Sequence, residues 1–220
     1  MPVGLPEFVD NPEPRCPVLL LLDTSYSMTG APISELNQGI SAFNQSVRQD
    51  ITATLRVEVA LITFGGSVRL LQDFITIDEF VPQTFTARGN TLMGEAIVYA
   101  LDLLEDRKST YRSNGIQYYQ PWVVLITDGA PTDDWQQAAQ RVRQSENDKK
   151  ISFFAIAVQG ADINTLKQIS PVNRPPMLLN GLNFKDMFIW LSQSMARVSS
   201  GKVGGGMTDL PPIGWGQIPR

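Results

Sequence analysis

Histidine is absent from this 220-residue chain, and cysteine occurs once, at Cys16. Those absences exclude zinc sites of the usual Cys/His kind, nucleophilic catalysis by a Cys/His or Ser/His/Asp arrangement, and any disulfide within the chain. Long apolar runs are lacking as well. The stretch 18–22 (VLLLL) is far too short to cross a bilayer, and the proline-containing, acidic start shows no basic segment followed by an apolar one, as a signal peptide would. A cytoplasmic protein with no membrane partner is therefore expected. Nor is positive charge in excess: 18 Lys and Arg stand against 22 Asp and Glu, a formal charge of -4, without a basic cluster. Nucleic acid is accordingly not an expected partner. What is there, 43% hydrophobic and 18% charged residues, suits one globular domain with a sizeable core.

Strand and helix patterns alternate along the chain. Residues 17–23 read as a strand buried on both faces, because the apolar run is continuous rather than alternating. Pro32 can open a helix, with Ile33, Leu36, Ile40, Phe43 and Val47 on one stripe that ends near Asp50. Residues 56–64 predict a second strand, Gly65-Gly66 a hairpin turn, and 67–71 its antiparallel return. A helix is expected from Thr91, carrying Ala96, Ile97, Ala100, Leu101 and Leu104 inward, then a strand at 122–127 and a helix capped by Thr132. A strand at 151–158, a short helix at 162–169, a last strand at 177–179 and a helix capped by Asn183 complete the series. The pattern predicts the α/β class: a doubly wound, mostly parallel six-stranded sheet with one antiparallel strand and helices on both faces.

Two segments stand outside it. The polar stretch 107–121 (RKSTYRSNGIQYYQP) reads as a surface loop at the end of the sheet opposite the strand carboxyl ends. The tail from 199 to 220, with GGG and LPPIGWGQIPR, has too much Gly and Pro for regular structure. It is either disordered or an extended segment whose Trp215 binds a partner or caps the core. The domain is expected over 16–198, with an N-terminal extension over 1–15.

The chemistry concentrates where strands end. In LLLLDTSYSMTG (19–30) a buried strand runs into Asp23, Ser25 and Ser27, which present a carboxylate and two hydroxyls to one side if the loop stays extended. Thr91, in ARGNTLMGEA, adds a hydroxyl at a helix start, and Asp128, in LITDGAPTDD, a second carboxylate at a second central strand end. In open α/β sheets ligands gather at such ends. Only oxygens are offered, which suits Mg2+ or Mn2+ and not a soft metal. Two serines at fixed offsets from a given Asp arise by chance roughly once in 200. Met28, Thr29, Gly30, Arg88, Asn90, Pro131, Thr132 and Asp133 lie on the same loops and are expected to frame the same face, or to shape the loops and cap helices.

DTSYS with Thr91 and Asp128 resembles the metal-ion-dependent adhesion site of the von Willebrand factor A domain family, matching D-x-S-x-S, then Thr, then Asp, at all five positions. Many members have Gly where this chain has Tyr26. More narrowly, VLLLLDTSYSM, VVLITDGAPTDDW and the closing LPPIGW resemble bacterial TerY-like proteins of tellurium-resistance and stress operons. The resemblance implies a Rossmann-like fold and a Mg2+ or Mn2+ ion touched by Ser25, Ser27 and Thr91, with Asp23 and Asp128 holding its waters. It further implies a protein partner that supplies a Glu or Asp carboxylate, with a kinase or phosphatase of the same operon as a candidate. An enzyme is not expected. A Mg-dependent phosphatase using a phosphoaspartate would want a second acid where Ser25 stands, and no P-loop pattern occurs. A subunit of an AAA ATPase or chelatase-like assembly is the other alternative.

Overall fold

The computed structural model describes residues 6–205 and 208–219; residues 1–5 of the expected extension, and 206–207 and 220 of the expected tail, lie outside them. Cys16–Asp23 (β1) is buried at all eight positions. Val18, Leu20 and Leu22 enter one apolar cluster and Leu19 and Leu21 the other, so an uninterrupted run is what two covered faces require. Val57–Phe64 (β2) lies parallel to β1 on one side, and Val68–Thr76 (β3) returns antiparallel along its outer edge. On the other side of β1 come Trp122–Thr127 (β4), Ser152–Ala157 (β5) and Met177–Leu179 (β6), all parallel. Gly216–Gln217 (β7) then pairs antiparallel with β6.

The sheet order is β3-β2-β1-β4-β5-β6-β7. The chain moves outward from β1 in one direction, then crosses back to β4 on the other side, so the strand order reverses between β1 and β4. That reversal leaves a crevice at the carboxyl ends of these two strands. Around the sheet stand the helices Pro6–Asp10 (α1), Ala31–Val47 (α2), Ile51–Arg56 (α3), Met93–Ser113 (α4), Gln136–Asn147 (α5), Ile163–Ile169 (α6) and Phe184–Ser200 (α7). Leu36, Ile40 and Phe43 of α2 and Phe184, Met187 and Phe188 of α7 cover the Val18 face; α4, α5 and α6 cover the other.

The structure corrects several expectations. The sheet has seven strands with two antiparallel pairs, not six with one antiparallel strand, because the tail adds an edge strand by backbone pairing that needs no apolar period. Residues 107–113 are not a surface loop: α4 continues through Ser113, burying Lys108 and Tyr111 against acidic partners. The same helix starts at Met93, leaving Thr91 in the preceding loop. Thr132 caps nothing; α5 starts at Gln136, and the Thr132 hydroxyl donates to Thr91 O at 3.1 Å. Asn183 does stand at the cap position of α7, but its amide donates to Asp186 instead of accepting from the backbone. Helix α3 was not anticipated; the Asp50 carboxylate starts it by accepting from Ala53 N at 2.8 Å.

Both flanks of the expected domain pack onto it. Phe8 of α1 is buried against the Tyr111 ring. In the tail, Trp215 is buried with its ring 5.5 Å from that of Trp190 on α7, and the Trp190 indole donates to Pro211 O at 2.8 Å. Residues 208–219 of the tail are thus extended, and Trp215 among them caps the core. Trp215→Ala is expected to release this strap while the rest of the domain stays folded. Limited trypsin digestion with mass spectrometry then shows faster cleavage at Lys202, just beyond α7; an unchanged digest would mean that other contacts hold the tail. No helix of the described residues is long and apolar enough to cross a membrane.

Candidate metal centre

Three loops meet at the β1–β4 crevice. The β1 strand ends by burying Asp23 completely, and its Oδ1 accepts from Ser25 N at 2.8 Å, which folds the loop back toward the strand end. A single 3-10 turn over Tyr26–Met28 comes next. Ser25 Oγ and Ser27 Oγ lie 3.0 Å apart, and Ser27 Oγ donates to Asp128 Oδ1 at 2.6 Å. The second Asp23 oxygen, Oδ2, accepts from Thr127 Oγ1 at 2.5 Å, and the same Thr127 oxygen accepts from Gly129 N at 3.2 Å. Thr91 reaches the group beside Gly129: a Cβ at that position would sit 3.2 Å from Thr91 Oγ1 and 3.6 Å from Ser27 Oγ. Glycine there keeps the space between the hydroxyls open. All five residues singled out from the sequence are therefore brought together.

Thr127 is a member of the cluster that sequence reasoning missed. It is the last residue of an apolar strand and read as part of it, although its place directly before Asp128 was visible. Gly129 likewise read as part of an ordinary turn. Of the expected framing residues, Met28 belongs to the core, fully buried. Others shape the loops: Thr29 Oγ1 donates to Tyr26 O at 2.6 Å, and Asn90 O accepts from Gly66 N at 3.0 Å. Asp133 accepts from Gly94 N and Glu95 N at 3.1 and 2.8 Å, supplying the cap that α4 lacks locally.

Burial first, and the Asp128 charge to a smaller extent, push the Asp23 carboxyl up to about 6 against the opposing pull of the Ser25 and Thr127 donors. Asp128 is also raised, by burial first, while Ser27 pulls it down. Two desolvated carboxylates side by side form a place that a cation stabilises. The donor set fits a hard divalent ion: oxygens only, three of them neutral hydroxyls, around the opening that Gly129 preserves. No cluster of three or more His, Cys, Asp or Glu occurs among the described residues.

Residues 18–187 match the family model for the von Willebrand factor type A domain. The chain belongs to that family. Among curated proteins, this VWA domain is 36% identical over 87 residues to the human collagen alpha-1(XXI) chain, a match covering 40% of this chain and 8% of that protein. Among solved structures it resembles proximal thread matrix protein 1 from the mussel byssus with a zinc-occupied MIDAS motif, at 19% identity and TM-score 0.55, over 84% of this chain and 48% of that one. It also resembles the manganese-loaded TRAP protein of Plasmodium vivax, at 19% identity and TM-score 0.56, over 81% of this chain and 73% of that one. The ArnB paralog VWA2 of Sulfolobus acidocaldarius is 15% identical with TM-score 0.57, over 82% of this chain and 45% of that one. These likenesses show the fold. The chain spans a small part of the collagen and about half the length of the mussel protein.

Proposed function

We propose that this VWA domain is a divalent-cation-dependent protein-binding module whose metal residues are Asp23, Ser25, Ser27, Thr91 and Asp128 and whose ion is Mg2+ or Mn2+. The observation that carries the reading is the joining of the three loops into one array of oxygens around the Gly129 opening. It is supported by two structural neighbours that are described with zinc or manganese. When bound, the cation supplies a coordination position that a Glu or Asp carboxylate of a partner completes, because neutral hydroxyls leave its charge poorly compensated. The chain's own work is positional. Asp23 and Thr127 hold the loop root, Ser27 ties it to Asp128, and Tyr26, 74% exposed, stands beside the hydroxyls as an aromatic contact for the partner.

Binding rather than catalysis is the role these residues fit. With no histidine in the chain and Ser25 where a phosphoaspartate mechanism would place a second acid, no group is nominated as base or nucleophile. The finer assignment is a cytoplasmic, TerY-like adaptor of a bacterial tellurium-resistance or stress system that meets a kinase or phosphatase; its support is the VLLLLDTSYSM, VVLITDGAPTDDW and LPPIGW stretches.

Thermal melting with Mg2+ or Mn2+ against EDTA tests the site. At a hundredfold excess over Kd, a ligand specific for the folded state stabilises by about 2.7 kcal/mol. That gain is expected in the natural chain and absent from Ser25→Ala/Ser27→Ala, which should melt near the natural chain in EDTA. An equal gain in both proteins would remove these residues as the metal site. A partner retained from lysate in Mg2+, released by EDTA and not retained by the double variant would then identify what is bound.

A further inference from the structure

A groove of about 200 Å³ opens beside the metal residues, between the β2–β3 turn and the segment 83–88, and Thr24 lines it. Thr24 sits in the chain between Asp23 and Ser25. Its carbonyl accepts from Arg88 N at 2.7 Å, and Gly89 O accepts from Tyr26 N at 2.9 Å, so the groove wall and the metal loop are held as one piece. The lining includes Arg69 and Arg88 and no acidic residue. Neither groove arginine has a carboxylate partner among the described residues, unlike Arg15, Arg56, Arg107, Arg141 and Arg174, although Arg48, Arg112, Arg143 and Arg197 spend their guanidiniums on neutral oxygens instead. Arg69 donates only to Ser67 Oγ, at 3.1 Å.

The floor carries the second observation. Thr24 and Thr63 are only 6% and 5% exposed, and both line the groove. Two exposed guanidiniums and two threonine hydroxyls line one groove, and every one of them can donate. Their complement is an anionic acceptor, and a planar carboxylate matches the guanidinium fork. On a chain of formal charge -4, such a local positive site also draws an acidic segment toward a surface that otherwise repels it.

We propose that this groove binds a second carboxylate of the same acidic partner segment whose first carboxylate goes to the metal. The first contact rests on the metal-bridge reading above, the second on Arg69, Arg88, Thr24 and Thr63. The partner chemistry is thereby narrowed from one acidic residue to a pair in a short stretch.

The test is an NMR titration of the full, Mg2+-loaded chain, following backbone amides and arginine Nε–H signals. The probes are end-blocked peptides with two Glu separated by none to several glycines, and the same peptides with either Glu replaced by Gln. At the best spacing the two-Glu peptide is expected to bind about tenfold more tightly than either single-Glu peptide, as charge-assisted pairs allow. Arg69→Gln/Arg88→Gln should lose that gain while keeping Mn2+ binding, read by electron paramagnetic resonance, and single-Glu affinity. No gain in the natural chain, or an equal gain in the arginine variant, overturns the proposal. Failure of the natural chain to bind Mn2+ would defeat the metal bridge instead. The groove would still be judged by whether its arginine signals respond to the two-Glu peptide.

Discussion

Glu58→Ala is expected to cost about 3–5 kcal/mol of folding stability, because it leaves a buried positive charge uncompensated. Glu58 is 1% exposed on β2, at the end of the sheet away from the metal residues. Its Oε1 accepts from Arg15 Nε at 2.7 Å and from Arg107 Nη2 at 2.8 Å, while Oε2 accepts from Arg107 Nε at 3.0 Å and from the Tyr111 hydroxyl. Arg107 also makes a forked pair with Glu7, at 2.9 Å for both bonds, and both guanidiniums lie over the Phe8 ring. Two cations and two carboxylates thus balance. Burial works against the Arg107 charge, yet the hydrogen bonds it donates to Glu7 and Glu58 hold it above the usual guanidinium range. Burial and the Glu58 charge likewise keep the Tyr111 phenol protonated.

Urea denaturation checks the expectation through a lower midpoint. Replacing Arg15, Glu58 and Arg107 together by apolar residues of similar volume should be milder than Glu58→Ala alone, since the one charge left without its partner, Glu7, is 41% exposed and reaches water. If the single and triple variants unfold at the same midpoint, the cluster contributes by packing and not by charge balance. Metal-induced stabilisation should survive in Glu58→Ala, because the cluster and the metal residues occupy opposite ends of the sheet.

Gly94→Ala is expected to lose about 3 kcal/mol and to weaken divalent-cation binding about tenfold. Alanine is the better helix former by about 1 kcal/mol, so helix propensity alone predicts a gain. Packing overrides it: a Cβ at Gly94 would lie 2.1 Å from Asp134 O and 2.9 Å from Trp135 Cα. Backbone must shift, at a cost at the upper end of the overpacking range. The shift falls on contacts that place Thr91 beside Gly129. Thr132 N donates to Thr91 O at 2.9 Å, and Asp133 holds the first amides of α4. Chemical denaturation and a Mn2+ isotherm together check this. A variant with natural stability would mean that the 131–135 loop gives way without strain. Natural affinity despite lost stability would mean that Thr91 keeps its place.

The residues of the candidate metal centre were legible because most of their signals are local. A continuous apolar run needs two covered faces, so it marks a central strand, and central strands of an α/β sheet carry their C-terminal loops to the ligand crevice. Asp23, Ser25 and Ser27 come at the end of one such run and Asp128 at the end of another. Thr127 escaped because a hydroxyl at a strand end has no spacing of its own to betray it.

By itself, the sequence determined the alternation of strands and helices, the exclusion of histidine and disulfide chemistry, and the five oxygen-bearing residues, four after strand ends and Thr91 before a helix. Tertiary structure alone decided the remainder. Arg107 and Tyr111 read as part of a polar loop, and they became helix because Glu58, 49 residues from Arg107, supplies a buried partner for both. Trp215 became a cap because Trp190 and the β6 edge receive it, and Arg69 and Arg88 became a pair because the β2–β3 turn and the 83–88 segment meet. Periodicity records which face of an element is apolar; pairing of charges and strand edges far apart in the chain depends on which elements meet, which the fold settles.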